Sequence, residues 1–264
     1  MLELKNVCKT FNAGTVNEKQ VLCNLDLTLK EGDFVTIIGG NGAGKSTMLN
    51  MVAGVYPVDS GSIAIDGVDV TKLPEHKRAK YIGRVFQDPR MGTATDMWVE
   101  ENMSIANKRG MKRGLRWAIT NKDREMFKKE LKQLDLGLED RLNTKMGLLS
   151  GGQRQAITLL MAAMKKPKLL LLDEHTAALD PKTAAKVLEI TDKLISENNL
   201  TALMVTHNMK DAIAHGNRLI MMNAGRIIID VSGEEKKKLT VESLLAEFSR
   251  ASGAEFASDR ALLS

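Results

Sequence analysis

Residues 39–47 read GGNGAGKST and follow an apolar run, FVTII, at residues 34–38. A helix is predicted directly after the glycines, over residues 45–53. Glycine permits positive backbone angles and close approach, so successive amide hydrogens can point at an anion at the positive end of this helix. The order of strand, glycine-rich turn and helix therefore predicts a phosphate-binding loop.

The residue types inside this loop have separate tasks toward a nucleotide. The Lys45 ammonium would meet the β and γ phosphates, the Ser46 hydroxyl can bind Mg²⁺, and Thr47 can contact the α phosphate. The predicted nucleotide contacts are Gly39, Gly40, Asn41, Gly42, Ala43, Gly44, Lys45, Ser46 and Thr47. The plain alternative is a turn that only joins a strand to a helix, and the agreement of spacing with context disfavours it.

Composition excludes several classes of protein. The 264 residues are 43% hydrophobic and 27% charged, which is ordinary for a globular domain and disfavours disordered and fibrous proteins. No run of about 18 apolar residues is present, so no membrane span is predicted. The start, MLELKNVCKTF, lacks a secretory pattern, and Cys8 and Cys23 form neither a disulfide framework nor a metal-ligand spacing. We therefore expect the protein to reside in the reducing environment of the cytosol.

The excess of positive charge lies in one segment. The net charge is +5, yet residues 108–132 alone hold ten Lys or Arg against three Asp or Glu, so the remainder is close to −2. This distribution disfavours a uniformly basic nucleic-acid binder. The segment interleaves Leu115, Trp117 and Ile119 with its charges, and it fits either a solvated pair of charged helices or a surface near anionic lipid head groups.

A pair of carboxylates follows a second apolar run. Residues 169–172 read LLLL, as expected for a strand covered on both faces, and Asp173 and Glu174 come next. Ligand sites lie beyond the carboxyl ends of such strands, and consecutive strand residues point in opposite directions. We expect Asp173 to hold Mg²⁺ and Glu174 to orient or deprotonate an attacking water. The plain alternative is that the two carboxylates only solvate a strand end.

Strands alternate with helices over much of the chain. Strands are predicted at residues 2–7, 23–29, 34–38, 62–66, 81–86, 169–172 and 201–206, helices at 45–53, 182–197 and 241–248, and a hairpin at 218–230. The pattern predicts an α/β fold with a mixed parallel sheet, an N-terminal antiparallel β subdomain and an inserted α-helical subdomain. The expected boundaries are 1–98 with 165–235 for the core and its β subdomain, 99–164 for the helical subdomain, and 236–264 for a C-terminal helix and tail.

Residues 149–153 read LSGGQ, and with this motif the chain resembles the ATP-binding cassette family, the ATPase subunits of ABC transporters, over residues 2–230. Ser150 is a good helix cap, Gly151 and Gly152 leave the next helix start open to an anion, and Gln153 completes the motif. A second phosphate-binding element so far along the chain fits a two-fold dimer. The resemblance implies a P-loop NTPase core and a head-to-tail homodimer in which each LSGGQ faces the ATP of the other subunit.

Three further positions match the family's pattern. Gln87 follows the strand at 81–86, where members place a glutamine that reaches Mg²⁺ and the attacking water and senses the permease. His207 follows the strand at 201–206, where the switch histidine of the family contacts the γ phosphate. Asp180 ends the segment that corresponds to the inter-subunit loop, although Asp before Pro181 is equally a good N-cap. The resemblance thus implies Glu174, His207 and Gln87 as catalytic residues and Ser46, Gln87 and Asp173 as Mg²⁺ ligands.

Two positions depart from that pattern. Phe11 is the candidate where members usually present a tyrosine to adenine, and an enlarged loop, residues 12–20, follows it. Any aromatic face can stack on a base, so Phe11 remains the predicted adenine contact. After Glu174 the chain reads HTAALD where members often read PTSALD, which removes a serine hydroxyl from one contact expected between subunits.

The resemblance implies an Mg-dependent ATP hydrolase that powers a separate membrane permease, of the bacterial solute-importer type. Such a subunit is cytoplasmic and peripheral on the inner face of the membrane, works with an extracytoplasmic solute-binding protein, and binds no nucleic acid. The permease would dock over residues 88–106, where Met91, Met97, Trp98 and Met103 fit either a partner surface or a core. The alternative is a non-transport ABC ATPase, for iron–sulfur assembly or cell-wall remodelling.

Overall fold

The computed structural model describes residues 1–111 and 119–252, in which strands and helices alternate as the sequence predicts. The strands are β1 (Leu2–Phe11), β2 (Lys19–Leu29), β3 (Phe34–Ile38), β4 (Ser60–Ile65), β5 (Val68–Asp69), β6 (Ile82–Val85), β7 (Leu169–Asp173), β8 (Thr201–Val205), β9 (Arg218–Asn223) and β10 (Arg226–Ser232). The helices are α1 (Lys45–Ala53), α2 (Glu75–Arg78), α3 (Val99–Asn107), α4 (Asn121–Lys132), α5 (Gly151–Ala163), α6 (Pro181–Asn198), α7 (Met209–Ala214), α8 (Gly233–Lys237) and α9 (Val241–Ser252).

A six-stranded sheet forms the centre, in the order β10-β9-β3-β8-β7-β6. The pairs β6–β7, β7–β8, β8–β3 and β3–β9 are parallel, and β9–β10 is an antiparallel hairpin. All residues of β3 and β8 are buried, which explains their unbroken apolar sequences. The carboxyl ends of β3, β7 and β8 meet at one edge, and the phosphate-binding loop, the pair Asp173 and Glu174, and His207 lie at these ends.

The N-terminal strands form a separate antiparallel sheet in the order β2-β1-β4-β5. In β2, Leu25, Leu27 and Leu29 are buried and the residues between them are exposed, as the alternation predicts. The buried face packs with α1 and one face of the central sheet in a single hydrophobic cluster. This packing fixes the antiparallel sheet against the helix that follows the phosphate-binding loop.

Helices cover the other face of the central sheet. The described part of residues 99–164 contains α3, α4 and α5 and no strand, as predicted. Their buried side chains, among them Met103, Phe127 and Leu131, share a cluster with β7 and β8. In the basic segment, Arg124 of α4 forms an ion pair with the buried carboxylate of Glu100 at 2.7 Å. Leu115 and Trp117, which carry the lipid interpretation, lie outside the described residues.

The structure differs from the sequence predictions mainly in short elements. Both β1 and β2 extend toward each other, so the loop after Phe11 covers residues 12–18 and is shorter than expected. The elements α2, α7, α8 and β5 were not predicted, because two to six residues are too few to show periodicity. Residues 253–264, expected as a tail, lie outside the description. Within the described ranges, no helix is both long and apolar enough to cross a membrane.

Candidate functional site

The predicted phosphate-binding loop wraps around its own lysine. The Lys45 ammonium donates hydrogen bonds to the carbonyl oxygens of Gly39, at 2.7 Å, and Gly40, at 3.1 Å. Gly44 precedes α1 in a left-handed conformation with φ 98°. A Cβ on Gly39 would lie 2.2 Å from the Met222 carbonyl oxygen, so only glycine fits there. The backbone thus forms the compact cradle that the sequence predicts at the start of α1.

Burial changes the electrostatics of this lysine. It lowers the pKa of Lys45, and the nearby carboxylates of Glu174 and Asp173 oppose that shift. A phosphate placed in the cradle would add negative charge beside the buried ammonium and favour its protonated form. The loop is therefore suited to an anion with several oxygens.

The Asp173 carboxylate lies at the end of β7 and faces the start of α1. Its Oδ1 accepts a hydrogen bond from Ser46 Oγ at 3.4 Å, and its Oδ2 lies 3.8 Å from Arg84 Nη2. Burial raises the pKa of Asp173, against the opposing effect of Arg84. Ser46 and Asp173 together offer hard oxygen donors, which is the donor type that Mg²⁺ prefers. A divalent cation would favour the ionised carboxylate, so this pair fits the predicted ion.

Glu174 is separated from Asp173 by a local backbone feature that the sequence did not predict. Its φ of 46° is left-handed, and its N–H donates to the Val205 carbonyl at 3.0 Å. Its Oε1 lies 3.0 Å from Nδ1 of His207, which follows β8. The two neighbouring carboxylates therefore have different partners, Ser46 and Arg84 for one and His207 for the other. The sequence predicts that the Asp173 and Glu174 side chains point in different directions because strand residues alternate. In the structure, the left-handed backbone at Glu174 contributes to this separation as well.

The remaining predicted residues lie around these groups. Gln87 follows β6 and is exposed. Phe11 ends β1, where its ring meets Tyr56 edge-to-face at 5.3 Å and the Lys9 ammonium lies 5.5 Å from its centre. Phe11 pairs with Lys19 across the β1–β2 ladder. Lys19 Nζ would lie 3.8 Å from a Cβ on Gly42, so this pair borders the cradle.

The LSGGQ motif forms a capped helix start. Ser150 caps α5, its Oγ accepts from the Gln153 N–H at 3.2 Å, and Gln153 Oε1 accepts in return from the Ser150 N–H at 3.2 Å. A Cβ on Gly152 would lie 2.0 Å from Thr183 Cγ2, so this glycine lets α5 approach α6. Gly151 is exposed. None of the described hydrogen bonds or ion pairs joins this corner to residues 39–47.

Asp180 is the N-cap of α6, which is one of the two roles that the sequence predicts for it. Its Oδ1 accepts from the Thr183 N–H at 3.1 Å and caps α6, and Pro181 occupies the first helical position. The inter-subunit role of Asp180 stays a prediction.

Sequence reasoning missed Arg84 and Lys19. Arg84 Nη2 donates to Asn50 Oδ1 at 2.7 Å, and its guanidinium stacks on Phe86 at 4.5 Å from the ring centre. Burial lowers the pKa of Arg84, and Asp173 opposes the shift. An arginine within a short strand carries no local signal for such a contact. Only the pairing of β6 with β7 brings it to Asp173.

Comparison with known proteins identifies the family. Residues 22–177 match the family model described as ABC transporter. A tyrosine transport ATP-binding protein of Clostridioides difficile is 45% identical over 94% of this chain and 98% of the relative. A spermidine/putrescine import ATP-binding protein of Haemophilus ducreyi is 34% identical over 94% of this chain. The chain spans only 63% of that second relative.

Solved structures agree with this assignment. A dimeric ATP-binding cassette in a post-hydrolysis state with ADP and Pi has a TM-score of 0.75 and 32% identity, covering 88% of this chain and 98% of that chain. An ADP-bound cassette of an ABC transporter has a TM-score of 0.77 and 27% identity, covering 94% and 98%. Fold and site together define a P-loop ATPase. The chain belongs to the ABC transporter family, and it binds and hydrolyses ATP.

Proposed function

We propose that this chain powers a membrane permease that imports an amino acid or a similar small solute. The observation that carries the proposal is the 45% identity, over nearly all of both chains, to the tyrosine transport ATP-binding protein. The spermidine/putrescine import relative is 34% identical and also supports import. Because the two relatives act on different solutes, the solute is proposed only as a class. In this proposal, the permease and an extracytoplasmic binding protein recognise the solute. The chain itself works at the inner face of the membrane.

In this proposal, the cradle holds the nucleotide through backbone amides and Lys45. Phe11 stacks on adenine through its aromatic ring. Ser46 and Asp173 hold Mg²⁺ with Gln87 as a further oxygen donor, and the bound ion would neutralise charge on the β and γ phosphates. The contact between Ser46 and Asp173 supports this pair as ligands.

Glu174 acts on the attacking water in this proposal. The Glu174 side chain is 15% exposed, so water can reach it, and the His207 ring at 3.0 Å restricts the orientation of its carboxylate. Glu174 accepts the water proton or directs the oxygen toward the γ phosphate, and His207 contacts that phosphate. His207 is 45% exposed, which leaves its ring free to change partners when the nucleotide binds.

The capped corner at Ser150 serves the nucleotide of a second copy. Two ATP molecules between two chains would favour a closed homodimer, and hydrolysis would remove the phosphate that both faces share. The exposed start of α5 supports this role, and so does the dimeric state of the solved relative.

The permease docks beside the Gln87 loop. Met91 is 69% exposed and Trp98 is 43% exposed, whereas Met103 is fully buried and belongs to the core. A groove of about 400 Å³ next to Met91 is lined also by Ile105, Arg109 and Met161. Exposed methionines adapt to an irregular apolar partner, which fits a permease helix.

Isolation of the chain from native membranes tests the proposal. We expect a multi-spanning protein to be recovered with the chain, and less of it with a variant in which Met91, Met97 and Trp98 are all alanine. The variant should keep ATP-dependent thermal stabilisation, which shows that its cradle is intact. Recovery of iron–sulfur or cell-wall proteins in place of a permease would refute the transport role, and full assembly of the variant would refute this docking surface.

A further inference from the structure

Two adjacent residues of α6, Thr191 and Asp192, hold the segments that carry Glu174 and His207. The first link starts at His175, which directly follows Glu174 and is 2% exposed. His175 Nε2 lies 3.0 Å from Thr191 Oγ1. The buried Thr191 hydroxyl already donates its hydrogen to the Val187 carbonyl at 2.8 Å. Thr191 Oγ1 is therefore the acceptor, and the Nε2–H of His175 is the donor.

The second link runs from Asp192 to α7. His215 Nδ1 lies 2.7 Å from Asp192 Oδ2, and it must donate because a carboxylate only accepts. His215 is the C-cap of α7, and the N-cap of the same helix, Asn208, directly follows His207. The short helix α7 thus joins His207 to His215. The bond between His215 and Asp192 therefore restrains the position of His207 at the other end of this helix.

The space between α6 and α7 is open beside the second link. A cavity of about 670 Å³ opens beside α6, and its lining includes Glu174, His207, Asp192 and His215. Atoms separated by such a space make no dispersion contacts, so the bond between Asp192 and His215 is a direct link from α6 to α7 there. On its other side, α7 is tied to the central sheet, where Thr36 Oγ1 donates to the Ala212 carbonyl at 2.8 Å. That bond does not involve α6.

We propose that Thr191 and Asp192 are positioning residues for ATP hydrolysis, which together set the separation of the Glu174 carboxylate and the His207 ring. The inference rests on the roles proposed above for Glu174 and His207. Because consecutive residues of one helix carry both links, a shift of α6 moves the two catalytic segments together. The cradle around Lys45 makes neither contact, so ATP binding is expected to be independent of the links.

Steady-state hydrolysis by the full chain tests the proposal. Thr191→Val removes the acceptor for His175, and Asp192→Ala removes the acceptor for His215. We expect each change to lower kcat about tenfold, since a catalytic group displaced by a fraction of an ångström loses much of its effect. The KM for ATP and the ATP-induced thermal stabilisation should stay within about twofold of the parent.

Conservative changes separate positioning from a general loss of structure. Thr191→Ser and Asp192→Asn keep an acceptor oxygen and should restore kcat to within about twofold. Thr201→Val is the matched control, because buried Thr201 also accepts a bond from a distant segment, the Gly32 N–H at 3.0 Å, but at the opposite end of β8. It should leave kcat unchanged. If Thr191→Val does not fold, Asp192→Ala and Asp192→Asn carry the same test.

Glu174→Gln in the same assay distinguishes failure of the proposal from failure of the roles beneath it. If Glu174→Gln is inactive while Thr191→Val and Asp192→Ala keep the parental kcat, the positioning role is wrong and the role of Glu174 stands. A loss of kcat that Thr191→Ser and Asp192→Asn do not restore also overturns positioning. Full turnover by Glu174→Gln would remove the catalytic role itself.

Discussion

Lys236 in α8 gives a quantitative test of the structure through the pH dependence of stability. Its side chain is 3% exposed, and its ammonium donates to the carbonyl oxygens of His215 and Gly216. Burial lowers its pKa from 10.5 to about 8, and the Asp192 carboxylate opposes the shift. The unfolded chain therefore holds this proton more tightly than the folded chain does.

The sign of the effect follows from proton linkage. Between the folded pKa of about 8 and the unfolded value of 10.5, the unfolded state binds more protons, so the free energy of unfolding rises with pH. Each unit of pKa difference corresponds to about 1.4 kcal/mol, and most of the window lies above neutral pH. From about pH 7 to about pH 9.5, Lys236 should add roughly 2 kcal/mol to the free energy of unfolding.

Urea unfolding followed by circular dichroism measures this quantity at the two pH values. Lys236→Met has a similar length and no charge, so the difference between parent and variant isolates Lys236 from all other titrating groups. The parent should gain roughly 2 kcal/mol relative to Lys236→Met over that range. Lys237→Met, at an exposed neighbour, is the control and should follow the parent. If the free energies of unfolding of the parent and of Lys236→Met change in parallel with pH, the buried environment described for the Lys236 ammonium is wrong.

Three further outcomes are expected. Lys45→Ala should lose the thermal stabilisation that ATP gives the parent, because Lys45 is the buried cation of the cradle, and unchanged stabilisation would contradict that role. Glu174→Gln should bind ATP but turn it over slowly and accumulate as a dimer in size-exclusion chromatography with ATP; a monomer under those conditions would argue against the ATP-sandwiched pair. Gly83→Ala should lower the free energy of unfolding by about 1–3 kcal/mol, since the added Cβ would lie 2.4 Å from the Ala162 carbonyl oxygen, and an unchanged urea midpoint would contradict this packing.

Local sequence patterns predicted most of the fold. The apolar residues of β7 and β8 indicated buried parallel strands, and the alternation in β2 indicated a half-covered sheet, because both signals depend only on which faces meet water. The start of β2 was placed too late, since Lys19 and Gln20 are polar and exposed and only their pairing with β1 makes them a strand. Short helices such as α7 gave no periodic signal.

In the candidate site, too, local motifs were predicted from the sequence and contacts between distant residues were not. Lys45, Ser46 and the Ser150 corner were predicted, because each belongs to a contiguous motif with its own helix start. The contact between Arg84 and Asp173 and the links from His175 and His215 to α6 were not predicted, because they join residues that are distant along the chain. The side-chain conformations that create them are set by tertiary packing.

The strand order of the central sheet also bears on how the protein is made. β8 lies between β3 and β7, and Phe34 of β3 pairs with Ala202 near the start of β8. During synthesis, the loop with Lys45 leaves the ribosome long before the strand that completes its sheet. Such non-local pairing slows folding. The nascent chain therefore cannot assemble the groups at the ends of β3, β7 and β8 until its C-terminal third has emerged, and ATPase activity should appear only at that stage.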